Sequence, residues 1–165
     1  MAGGRAHDHR RGRLRVSIRP VREGDRDEIL ALHRAAIRSA GSDPDDVPGN
    51  EDLDTPVAAY RGVGGELLVL EAEGDIVAMG GYKPRDSGVE LLRMAVAPDA
   101  QGEGYGSRII EALEAHAREA GYEHVELETT ARQEQAMGFY PSHGYHETGR
   151  RQDGEYEVVR FEKSL

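Results

Sequence analysis

Hydrophobic and polar residues alternate where patterning begins. Leu14, Val16 and Ile18 interleave with Arg15, Ser17 and Arg19, the period-two signature of a half-buried strand. Residues 1–13 before it carry no such periodicity and read as a disordered arm, in which His7 and His9 beside Asp8 read as tail rather than as a metal site. After the strand the period lengthens. Ile29, Leu32, Ala36 and Ile37 make a helical stripe ending near Gly41, with Asp25 as N-cap and Glu28 completing a capping box. The Asp-, Pro- and Gly-rich residues 42–50 predict a loop, and a second short helix is expected from Glu51 to about Tyr60 despite Pro56.

Two strands follow at residues 66–72 and 76–82, joined through Glu73-Gly74-Asp75, a hairpin signal. A third strand covers 89–96. The helix predicted over 104–120 turns Ile109, Ile110, Leu113 and Ala117 inward and Glu111, Glu114, Arg118 and Glu119 outward, and Gly121 closes it. A strand at 125–129, a short helix at about 133–141 and strands near 145–149 and 155–162 complete the chain. This order predicts an α/β fold of the α+β type, a mixed sheet with helices packed on it, in one domain over residues 14–165.

Composition narrows the function classes. The formal charge of −10 argues against nucleic-acid binding by phosphate neutralisation. No apolar run is long enough to span a membrane, and no apolar stretch follows the basic N-terminal residues as in a secretory leader. The absence of cysteine removes disulfides, thiolate metal sites and a cysteine nucleophile, and it suits a cytoplasmic protein. Lys83 and Lys163 are the only lysines; an acidic, lysine-poor chain fits a salt-adapted or a high-GC source.

The chemistry concentrates in one turn. The apolar strand that ends in Met94-Ala95-Val96 runs through Ala97-Pro98 into Gln101-Gly102-Glu103-Gly104-Tyr105-Gly106-Ser107, and then into the long amphipathic helix. Glycines let backbone N–H groups approach a ligand closely, and a helix start adds unsatisfied donors and partial positive charge. That combination suits a phosphate or pyrophosphate. A Walker loop is excluded, because it needs a lysine that the turn lacks, and a dinucleotide-binding turn has different glycine spacing directly after a first strand.

Gln101, Gly104 and Gly106 fill a Gln/Arg-x-x-Gly-x-Gly/Ala pattern, and Ala136-Met137-Gly138-Phe139-Tyr140 is followed by His143-Gly144-Tyr145. On both segments, and in element order from Arg15 to Glu162, the chain resembles the GNAT superfamily of N-acetyltransferases. The resemblance implies a twisted, mostly antiparallel sheet flanked by helices, and acetyl-CoA as cosubstrate without a metal. It also implies an amine acceptor, either a small molecule or a protein, with no nucleic-acid or membrane partner, in a monomer or homodimer.

Carried over residue by residue, the resemblance gives Met94, Ala95 and Val96 the pairing with pantetheine and gives a main-chain N–H near Met94 the thioester oxygen. Gln101, Gly102, Glu103, Gly104, Tyr105, Gly106 and Ser107 would cradle the pyrophosphate, with Gln133 also on the coenzyme. Tyr140 would protonate the departing thiolate. Glu90 is the base, sharing a strand face with Leu92 and Met94; His33 and Glu128 are the fallback candidates. Three residues depart from the family's pattern. Glu103 stands at an often basic position, Gln133 at a common Asn, and Pro141 directly after the tyrosine. The acceptor region, about residues 25–60, carries Asp43, Asp45, Asp46, Glu51, Asp52 and Asp54, which is either an acidic mouth for a cationic amine or part of a uniformly acidic surface. A non-catalytic CoA-binding module and a nucleotide-binding oxidoreductase are the alternatives from other classes.

Overall fold

The computed structural model describes residues 15–46 and 49–165, so the readings placed on Leu14 and on the N-terminal arm lie outside the described residues. The strands are β1 (Val16–Pro20), β2 (Glu66–Ala72), β3 (Asp75–Arg85), β4 (Gly88–Val96), β5 (His124–Thr130), β6 (His146–Asp153) and β7 (Tyr156–Ser164). The helices are α1 (Arg26–Ser39), α2 (Pro56–Tyr60), α3 (Tyr105–Glu119) and α4 (Glu134–Ser142). The fold is α/β. One sheet runs in the order β1-β2-β3-β4-β5-β7-β6, and only the β4–β5 pair is parallel. No helix among the described residues is long and apolar enough to cross a membrane.

The centre of the sheet is apolar on both faces because helices cover both. Leu68 and Leu70 of β2 point to the face packed by Ile109, Ile110, Leu113 and Ala117 of α3. Leu67 and Val69, one residue out of phase, point to the opposite face with Ile29 and Leu32 of α1 and Leu53 and Tyr60. A run of four consecutive apolar residues is therefore what a strand at the centre of three layers requires.

Three local readings change. Asp25 does not cap α1: its carboxylate turns back to accept from the Arg22 N–H at 2.7 Å and from both terminal nitrogens of Arg19, while Glu28 accepts from the Ile76 N–H at 3.2 Å. The expected helix from Glu51 breaks into a 3-10 turn (Glu51–Leu53) and α2, because Pro56 has no N–H to donate and serves instead as an N-terminal residue of α2. Glu114 faces inward. It is 5% exposed and accepts from the Tyr145 hydroxyl at 2.8 Å and from Lys163 Nζ at 2.9 Å. Those two donors replace the water that an outward carboxylate would keep.

Candidate active site

β4 is the strand from which the site is built. Facing β3, Met79 pairs with Ala95 and Gly81 with Leu92, so Arg93 and Met94 together oppose Gly80 alone. This is a β-bulge, and Arg93 takes the left-handed conformation at φ 59°. Gly80 leaves the room for it. A Cβ there would lie 2.7 Å from Ile109 Cγ2 and would strike the Met94 sulfur.

The bulge reverses the phase of the strand. Val89 and Leu91 pack toward α3 before it, and Met94 and Val96 do so after it, while Leu92 and Ala95 pack toward α1. Glu90 therefore shares its face with Leu92 but not with Met94, which corrects the reading from simple alternation.

On its other edge β4 pairs with β5 only at Val89–Val125 and Glu90–Glu126. Beyond that the two strands diverge, and β5 continues its pairing with β7. A cleft of about 600 Å³ opens where they part, walled by residues 91–95 on one side and 127–130 on the other. Its lining also includes His33, Ala36 and Ile37 of α1, together with Glu90, Gln133, Tyr140 and Tyr156.

The structure thus brings Tyr140, Glu90, Met94, Ala95 and Gln133 to one cleft, and both fallback bases, His33 and Glu128, line it as well. Tyr140 lies in α4 with its ring 5.9 Å from Tyr145 and 5.9 Å from Phe161. Burial pushes its pKa well above the ordinary phenol value. Pro141 does not end the helix at the tyrosine, for α4 runs through it to Ser142. Glu90 is held by Arg85, whose Nε donates at 2.7 Å. Glu128 is held by Arg151, and that contact keeps its carboxyl below the usual range. Burial, with help from the Arg93 charge, lowers the pKa of His33, so this imidazole is neutral at pH 7.

The glycine turn follows at the far end of β4. Gly102 and Gly104 have φ of 85° and 80°, and Gly104 is the N-cap of α3. The first N–H groups of α3, from Tyr105 to Ser107, have no partner within the helix. Tyr105 is 8% exposed and its ring packs in the core, so only its main chain can meet a ligand. Gln101 Nε2 donates to the Val96 carbonyl at 3.3 Å and ties the turn to the strand end. Glu103 is exposed.

Two contacts escaped the reading of the chain. Ser107 Oγ lies 2.9 Å from His143 Nε2, across 36 residues. Arg93 clamps Asp52 with Nε at 3.0 Å and Nη2 at 2.7 Å. The second contact bears on the acid-rich residues 43–54, where Asp45 is likewise paired with Arg34 and Asp54 with Arg26. Three of these acids are thus already neutralised. Among the described residues, His124, Glu126 and Glu162 have donor atoms within 4.8 Å, as metal ligands do. Arg160 pairs with both carboxylates there, so a guanidinium already supplies the positive charge.

A model of the acetyltransferase (GNAT) family matches residues 30–145, which span the diverging strands, the glycine turn and α4. The chain belongs to the GNAT family. A curated relative, an uncharacterised N-acetyltransferase from Escherichia coli K12, is 32% identical over 98 residues, covering 57% of this chain and 59% of the relative. The chain spans about half the length of the curated relatives it matches. Among solved structures, a GNAT acetyltransferase from Staphylococcus aureus Mu50 superposes with TM-score 0.81 at 17% identity, over 92% of this chain and 99% of that one. An acetyltransferase of Salmonella typhimurium, solved with acetyl-CoA, superposes with TM-score 0.74 at 17% identity, over 91% and 94%. At these identities the superpositions establish the GNAT fold, while membership rests on the family match.

Proposed function

We propose that this protein transfers an acetyl group from acetyl-CoA to a primary amine by direct attack in the cleft between β4 and β5. The observation that carries the reading is the divergence of the two strands after Glu90 and Glu126. It frees the β4 edge beyond the bulge to pair with an extended, amide-bearing arm, and the same strand leads into a glycine turn suited to a pyrophosphate. The Salmonella neighbour solved with acetyl-CoA supports this choice of coenzyme.

In this reading the backbone of Met94, Ala95 and Val96 holds pantetheine, and the Met94 N–H polarises the thioester carbonyl. The turn from Gln101 through Gly102, Glu103, Gly104, Tyr105 and Gly106 to Ser107 holds the pyrophosphate, mainly through its backbone, and Gln133 closes the coenzyme side.

The amine nitrogen attacks the thioester carbon, its proton passes to Glu90 through water, and the C–S bond breaks as the phenol of Tyr140 gives its proton to the sulfur. A free thiol has a pKa of about 8.5 and a phenol about 10, so this last transfer is uphill in water, and burial of Tyr140 widens the gap. The departing thiolate is desolvated in the same cleft, which raises its own pKa and narrows the difference. His33, neutral in the same cleft, is a second proton acceptor beside the acceptor amine.

Thermal denaturation with acetyl-CoA, CoA and NAD, at low and at molar salt, tests the coenzyme. Acetyl-CoA at 100 times its Kd stabilises by about 2.7 kcal/mol, a rise of about 5–10 °C for a chain of this length. Molar salt shortens the screening length to about 3 Å and removes the repulsion from Glu103. Stabilisation is therefore expected at both salts, and NAD should give none. No shift with acetyl-CoA at either salt contradicts the reading.

A further inference from the structure

The bulge in β4 is built around a residue that pays for its conformation. Arg93 is one of two non-glycine residues with positive φ among those described, and a long side chain in the left-handed region costs about 1–2 kcal/mol. Something must hold it there. Its guanidinium makes two parallel bonds to the Asp52 carboxylate, at 3.0 and 2.7 Å, and Nη2 also donates to the Gly49 carbonyl at 2.6 Å. Asp52 Oδ2, which accepts from Arg93 Nε, also accepts from the Tyr60 hydroxyl at 2.6 Å. Tyr60 is fully buried, and its ring lies against Gly81, the residue after the one that faces the bulge. Lys83 Nζ covers the same ring at 4.9 Å.

Both charged side chains are largely buried, at 20% and 15% exposure. Burial pulls the Asp52 carboxyl up, but the bonds from Arg93 and Tyr60 outweigh it and hold its pKa below the usual range. The pair is ionised at neutral pH; Asp52 belongs to the segment between α1 and α2, and Arg93 lines the cleft.

We propose that Asp52 is a positioning residue. Through Arg93 it locks the bulge that sets Met94 in the cleft, and so couples the order of the segment between α1 and α2 to the geometry of the coenzyme strand. The coupling to turnover rests on the acetyltransferase reading given above; the hold on the bulge does not. An acceptor that orders residues 49–52 also firms the strand on which the thioester would lie, and loss of that order loosens it.

Four variants separate this role from plain stabilisation: Asp52→Ala, Asp52→Asn, and Asp52→Ala combined with Arg93→Ala or with Arg93→Gly. Both double variants remove the stranded guanidinium, but only glycine adopts the left-handed conformation without strain. Hydrogen exchange at residues 92–96, read by mass spectrometry on the protein without coenzyme, reports the bulge itself. It should quicken about tenfold or more in Asp52→Ala and in the Ala double variant, since a free-energy loss of about 1.4 kcal/mol corresponds to a factor of ten. It should return toward wild type in the Gly double variant, with Asp52→Asn intermediate.

In the acetyl-transfer assay kcat should fall about 10–100-fold in Asp52→Ala, as a misplacement of about 1 Å does. It should recover in the Gly but not in the Ala double variant. Equal exchange in the two double variants overturns the proposal. A wild type that binds no acetyl-CoA and acetylates no amine removes the acetyltransferase reading instead, and the exchange experiment still decides whether Asp52 holds the bulge.

Discussion

Tyr140→Phe is expected to lower kcat by about 100-fold or more and to leave KM for acetyl-CoA and the melting temperature nearly unchanged. The three parts of this expectation have separate causes. The hydroxyl is the one atom lost, and burial is the sole cause of its raised pKa, with no hydrogen-bonding neighbour contributing. The ring packing against Tyr145 and Phe161 survives in phenylalanine, so the core keeps its contacts. In the proposed reading the coenzyme is held by the β4 edge and the glycine turn, neither of which the substitution alters.

In the proposed mechanism the loss falls on the breaking of the C–S bond. Because burial raises the phenol's pKa, the acid form persists beyond about pH 10, and Tyr140 sets no alkaline limb below that pH. Steady-state kinetics with acetyl-CoA and an accepted amine check this. A phenylalanine variant with full kcat makes Tyr140 a core residue only.

Glu114→Ala is expected to cost about 3 kcal/mol in urea unfolding, the low end for breaking a buried ion pair. The low end applies because the Lys163 side chain keeps 23% exposure and can reach water, whereas the Glu114 side chain keeps 7%. Removing the carboxylate takes an acceptor from two donors at once: it strands the Tyr145 hydroxyl and leaves the Lys163 ammonium its bond to the His143 carbonyl at 2.8 Å. Glu114→Gln keeps an acceptor for one of them and is expected to lose about half as much. Glu114 lies in the helix that begins at the glycine turn, and Tyr145 packs on Tyr140, so the variant should also raise KM for acetyl-CoA slightly. Unfolding within about 0.5 kcal/mol of wild type would place Glu114 among ordinary surface residues.

Much of this arrangement was legible in the chain because its signals are local. The glycine turn, the strand before it and the Tyr140 segment can each be read within about twenty residues, and their order predicted a mixed sheet with flanking helices. What was missed depends on contacts made at long range. Glu114 reads as outward by its chemical type, although it follows Leu113 and precedes Ala117 by three, and only Lys163 and Tyr145, far along the chain, explain its burial.

The bulge left a trace that other residues covered. The inward apolar positions pass from odd (Val89, Leu91) to even (Met94, Val96), but Leu92 and Ala95 are apolar as well because α1 covers the other face. Alternation cannot reveal a phase change in a strand that is buried on both sides. Asp52 and Arg93 are 41 residues apart and carry no mutual signal in the sequence. Composition likewise overstates the negative charge of residues 43–54, since Arg93, Arg34 and Arg26 pair with Asp52, Asp45 and Asp54.

The most direct test of the central claim is thiol release from acetyl-CoA in the presence of a panel of primary amines, covering polyamines, aminoglycosides, and peptides with free α-amino or lysine side-chain amines. The mass of each amine is read in the same reaction. The account predicts that at least one amine gains a single acetyl group in step with the thiol released, and that Tyr140→Phe suppresses both together. Acetyl-CoA that binds without turnover on any amine would contradict it, and would leave a coenzyme-binding protein that catalyses no transfer.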